Sequence, residues 1–160
     1  MIKKFSVLLI FIFLVLNIEV QAENKPIQLA LFTPVQIFSE ESVITGFRLN
    51  LLYGRNVTVV GLDWGFVNHT TEGVSKGVQW GFVSINEADY QGWQHNSVSY
   101  TKGTFKGLQV GVVNYAGHAS GVQFGLVNYA ATMEGLQIGL VNIIGDGGWF
   151  PVFPIINGSF

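Results

Sequence analysis

The phrase GLQVGVVN begins at Gly107 and returns as GVQFGLVN at Gly121 and GLQIGLVN at Gly135. A phrase recurring at fixed spacing makes each copy one unit that buries its surface against its neighbours. With the leading residue as offset zero, further copies start at Gly61 (GLDWGFVN), Gly77 (GVQWGFVS) and Gly92 (GWQHNSVS), and degenerate ones at Pro26, Gly46 and Phe150. The nine starts lie 14 to 16 residues apart, except across a first gap of 20 that contains the loop Phe38 to Ser42.

Within a copy the apolar residues fall at offsets one, three and five, as in Leu108, Val110 and Val112 or Val122, Phe124 and Leu126. Period two specifies a strand, and the Gly-rich, β-branched phrase excludes a helix. By hydropathy the apolar offsets are expected inside, with His95 and the tryptophans Trp64, Trp80 and Trp93 in the core. Replacing Leu126 by Asp is then expected to unfold the stack by burying an unpaired charge. The apolar pair at offsets five and six, followed by Asn or Ser, marks a corner at which the amide bonds the turn backbone. The segments after it form a return side ending in Phe105, Ala119 or Met133.

Two all-β architectures fit. One is a single-stack β-solenoid of about nine coils of 14 to 16 residues; the other is a small antiparallel outer-membrane barrel. Parallel stacking places like on like, so Gln79, Gln94, Gln109, Gln123 and Gln137 form one ladder and Asn68, Asn114, Asn128, Asn142 and Asn157 another. Alternating strands would break both. A barrel also needs an apolar band about 25 Å tall, whereas offsets one to five span about 14 Å. All four prolines, Pro26, Pro34, Pro151 and Pro154, fall in or beside the end copies, as an open stack with two edges requires. The aromatic C-terminus at Phe160 points the other way, towards a barrel. The solenoid is therefore the expected fold and the barrel its alternative.

Residues 1–22 combine Lys3 and Lys4, the apolar run Phe5 to Leu16, and Val20-Gln21-Ala22, the pattern of a cleaved secretory signal. One β-repeat domain is expected over residues 23–160. The chain has no cysteine, hence no disulfide or thiolate metal site, and its net charge of -2 offers no basic face to nucleic acid.

No nucleophile elbow, phosphate loop, zinc helix or dinucleotide fingerprint occurs, and Gly145 to Gly148 reads as a turn. His69, His95 and His118 fall in different copies, so no catalytic residue, metal ligand or cofactor is assigned. Asn86, Glu87 and Asp89 lack the calcium-roll nonapeptide. Arg48 and Asp63 share offset two in successive copies and are expected to pair across coils. Tyr100, Tyr115 and Tyr129 share offset eight, a candidate exposed aromatic strip.

The copies GLQVGVVNYA, GVQFGLVNYA and GLQIGLVNI, the block LNLLYGRNVTVVGLDWGFVN and the close PVFPIIN resemble an exported bacterial surface-repeat family with GLQIGLVN-type repeats, whose function is uncharacterised. The resemblance spans the chain after residue 22. It implies a cell-surface or outer-membrane location, with the periplasm as alternative, and no assigned activity. The copies at Gly46 and Gly92 depart from the phrase, with Asn50 and Asn96 in place of the second Gly. A non-enzymatic structural or adhesion-like role is expected, with another envelope protein or a glycan as partner, and membrane association through the outer membrane. A small integral barrel with a structural or transport role is the alternative.

Overall fold

The computed structural model describes residues 23–160, so the expected signal over residues 1–22 lies outside the described residues. These form β1 (Asn24–Phe32), β2 (Val35–Gln36), β3 (Val43–Asn56), β4 (Thr58–Thr70), β5 (Val74–Asn86), β6 (Asp89–Asp146) and β7 (Val152–Ser159). They make one sheet of order β2-β1-β3-β4-β5-β6-β7, with no helix among the described residues.

Successive copies run parallel and in register. Gly46 pairs with Gly61, Gly61 with Gly77 and Gly77 with Gly92, while Trp64 faces Trp80 and Asp63 faces Gln79. Inside the long β6 the stacking continues: Gly107, Gly121 and Gly135 each lie against the carbonyl of the leading glycine one coil below. The fold is a β-solenoid. An antiparallel barrel would pair neighbouring copies in opposite directions and close on itself, and this stack has two open ends.

The ninth copy is a correction. After the turn at Gly145 to Gly148 the chain reverses, and β7 lies antiparallel on β6, with Leu136 opposite Gly158 and Ile138 opposite Ile156. The stack therefore has fewer turns than the sequence has copies. Pro151 and Pro154 cannot donate to a ladder, which suits this last strand to an edge. At the other end β2 folds back antiparallel onto β1 through Ala30 and Gln36.

A second correction concerns which face is inside. The residues at offsets one, three and five point outwards: Trp64 is 56% exposed, Trp80 58% and Leu126 51%, and Trp93 and His95 are exposed as well. Offset two is the buried position, with Gln79, Gln94, Gln109, Gln123 and Gln137 at 0%. The reason is room. A coil of this perimeter encloses a channel about one side chain wide. A Cβ placed on Gly81, Gly111 or Gly139 at offset four would collide with a backbone carbonyl of the coil below. Rings the size of indole cannot enter such a channel in every coil, whereas amides stacked on amides fit and keep their hydrogen bonds.

At the corner, the outward Phe66 and half-buried Val67 precede a buried Asn68, so the bend sends two apolar neighbours outwards, not inwards as expected. The apolar core lies instead where the return side closes. Tyr90, Phe105, Ala116, Ala119, Ala130, Met133 and Ile144 form one cluster there. Phe105, Ala119 and Met133 are the residues that end the return segments.

Leu126→Asp, on an exposed column, is expected to leave the fold intact and to change stability by less than about 1 kcal/mol. Chemical unfolding followed by circular dichroism checks this. A loss of several kcal/mol would place Leu126 back in the core.

Candidate functional site

The interior is built on two hydrogen-bonded ladders of opposite direction. In the first, each Gln Nε2 donates to the coil before it: Gln137 to Gln123 (2.8 Å), Gln123 to Gln109 (2.7 Å), Gln109 to Gln94 (2.8 Å) and Gln94 to Gln79 (2.7 Å). Gln79 donates to Asp63 Oδ2 at 2.8 Å, so the chain of amides ends on a carboxylate. That buried charge is balanced by Arg48 one coil further, through a bidentate contact of 2.7 Å at each oxygen. The guanidinium also donates to Asn56 Oδ1 and to the His69 carbonyl. The expected pair is thus the terminus of the glutamine ladder, and its charge is spread over a fully bonded network.

The second ladder donates towards the C-terminus. Asn114 Nδ2 bonds Asn128 Oδ1 at 2.9 Å, and Asn128 Nδ2 bonds Asn142 Oδ1 at 2.8 Å. Asn128 and Asn142 also reach the carbonyls of Gly125 and Gly139 in their own corners. Asn157, in the antiparallel β7, sits outside this ladder and bonds the backbone of Phe150.

The two aberrant copies prove to be exchanges. Where offset four holds Asn instead of Gly, the corner position holds a small residue instead of Asn. Asn50 faces Gly54 and donates to Asn68 Oδ1 at 2.8 Å, replacing the missing rung. Asn96 instead donates within its own coil, to Ser99 Oγ at 3.1 Å, and makes no rung to Asn114. Asn96 Oδ1 and Asn114 Oδ1 are left buried without a partner at this point, as is Ser84 Oγ.

Of the remaining candidates, Tyr100, Tyr115 and Tyr129 form a stacked column with ring centroids 4.8 Å apart, half-buried beyond the corner. His118 Nδ1 lies 2.8 Å from Thr132 Oγ1, and Asp89 accepts from the Thr104 amide. Among the described residues no group of three His, Asp or Glu side chains converges on a metal-sized space.

One cluster was not foreseen. Tyr53 Oη lies 2.7 Å from His69 Nδ1, and His69 Nε2 lies 2.6 Å from Glu87 Oε1. Burial pushes the Tyr53 phenol above its usual pKa, and the phenol lies within hydrogen-bond reach of the ring. The phenol–imidazole–carboxylate chain stitches three successive coils. Its signal lay in the vertical alignment of residues more than fifteen apart, visible only once the register is known.

The outward columns are the larger surprise. Trp64 stacks on Trp80 with centroids 6.3 Å apart, and Phe66 on Phe82 at 5.1 Å. Between the columns at offsets three and five lie apolar hollows, interrupted at the Gly92 copy by a more polar one at His95, Asn96 and Ser97. Leu29, Leu31, Val35 and Ile37 line one end, Leu49, Trp64, Phe66 and Trp80 the middle, and Leu126, Ile138, Leu140 and Ile155 the other end.

Compared with protein-family models, curated proteins and solved structures, the chain matches none.

Two measurements test the interior. Asn96→Gly alone, or Ser99→Asn alone, is expected to cost about 1–3 kcal/mol, by removing or crowding the amide. The double variant restores the common phrase and is expected within about 0.5 kcal/mol of the parent, a coupling that a double-mutant cycle reads directly. Tyr90, whose hydroxyl donates to the Gly77 carbonyl at 3.1 Å, has its pKa raised well above 10.0 by burial first and by Asp63 second. The folded state therefore holds a proton that the unfolded chain releases near pH 10. Its contribution is complete below that pH and is lost as pH rises above it, by up to about 1.4 kcal/mol per pH unit. Tyr90→Phe is expected to flatten the alkaline limb of a stability–pH curve, and an unchanged limb would refute the assignment.

Proposed function

We propose that this chain is a non-enzymatic structural or adhesion-like repeat protein of the bacterial cell envelope, at the cell surface or outer membrane. The observation that carries the reading is how its polar chemistry is used. The buried amides, the Arg48–Asp63 pair and the Tyr53–His69–Glu87 chain bond one coil to the next, leaving the return side to meet a protein or glycan partner and the outward columns exposed. A stack made stiff by ladders and varied mostly on its outside suits display. The secretory pattern of residues 1–22 supports the location, and another envelope protein or a glycan is the partner class proposed.

Expression of the full chain in a Gram-negative host tests the location. The expected result is a mature N-terminus at Glu23 and recovery in the envelope fraction. An unprocessed chain in the cytosol would overturn the reading.

A further inference from the structure

We propose that the outward apolar face is a membrane-docking surface that seats in the outer part of a lipid leaflet, with the solenoid axis along the bilayer plane. The inference rests on the envelope reading for its biological setting, and it identifies the occupant of the outward columns as lipid hydrocarbon.

The strip is about 14 Å wide and runs roughly 34 Å from the Pro26 copy to the Gly135 copy, at ~4.8 Å per coil. Its flat footprint alone, about 480 Å², falls within the 300–600 Å² typical of the largest apolar patch on a soluble monomer. The apolar surface continues over both ends, where Val35 and Ile37 of the β2 hairpin and Ile155, Trp149 and Phe160 of the C-terminal cap are exposed. A rigid partner matches one plane. A fluid hydrocarbon phase covers a face and its two ends together.

Charge is partitioned accordingly. On the outward columns at offsets one, three and five, His95 is the sole titratable side chain, while exposed Glu72, Lys102 and Asp146 lie on the return side and turns. Lys76, Lys106 and Glu134 border the strip two residues before its first column and are exposed. Long side chains at such a border reach headgroups while their stems cover apolar surface. This two-sided division is the mark of an element lying in the membrane interface, seated about 5–10 Å deep.

Tryptophan separates lipid from a second copy of the chain. Trp64, Trp80 and Trp93 make no side-chain hydrogen bond among the described residues, although all three indoles sit on the strip. Two such faces packed dry against each other would leave the indole N–H groups buried and unpaired. At the boundary of a leaflet the ring meets hydrocarbon while the N–H meets ester oxygen or water. With a net charge of only -2 and no basic cluster, docking is driven by hydrocarbon contact, not by attraction to anionic headgroups.

The test is flotation of purified mature chain with phosphatidylcholine vesicles, alongside tryptophan quenching by brominated acyl chains. The expected result is co-flotation that persists in ~1 M salt and quenching that reports indoles within the leaflet. The triple variant Trp64→Ser, Trp80→Ser, Phe82→Ser is expected to weaken vesicle binding at least roughly tenfold with an unchanged circular dichroism spectrum. Lys102→Ser on the return side is expected to bind as the parent does. The quenching measurement on the parent chain decides the matter even if the triple variant does not fold. A chain that stays in the aqueous fraction with unquenched tryptophan overturns the inference. So does a lipid-free dimer that the triple variant dissociates and that ignores vesicles, since a second copy would then cover the face. Release by salt would also overturn it, by assigning binding to charge. Because the assay uses purified chain, these outcomes are read independently of where a cell places the protein.

Discussion

The interior of this protein is limited by the perimeter of one coil. A turn of 14 to 16 residues that bends at glycine and asparagine encloses a channel too narrow for large side chains in every layer. Gly121, with φ 130°, shows how tight the stack is: its backbone adopts a conformation open to glycine alone, and a Cβ there would strike the Gly107 carbonyl. Once the coils approach this closely, the inside must be filled by amides and small groups. The bulky residues are left to the outside.

A polar interior is tolerable because most of it is bonded. Buried amides cost several kcal/mol each when unpaired, and here most are paired along the axis. The two ladders donate in opposite directions, and the Arg48–Asp63 pair closes the glutamine series where the amides stop. Register is fixed by the same bonds. A slip of one residue would place carbonyl-lined glycines against side chains throughout the stack.

Much of this could be read from the chain, and the part that could not has a clear cause. Spacing gave the strand, the parallel stacking, the two ladders, the corner after offset six and the pairing of Arg48 with Asp63. Period two, however, states that a strand has two faces without saying which is inside. Hydropathy put Trp64, Trp80 and Leu126 in a core that has no room for them. The contrary signal was in the phrase itself: amides recurring at one offset and glycines beside them describe a close, bonded interior. The reversal of the last copy and the Tyr53–His69–Glu87 chain depend on a turn and on vertical register, which local spacing does not encode.

The caps give the stack a further property. Because each coil touches only the one below and the one above, and because β2 and β7 close the two ends with antiparallel pairing, the middle is modular: a coil inserted or removed between them leaves every remaining contact type unchanged. Each coil adds three residues to the outward columns, so that face grows in equal steps of ~4.8 Å while the interior stays one side chain wide. In such a molecule the length of the outer face is set by the number of phrases between the two antiparallel end strands.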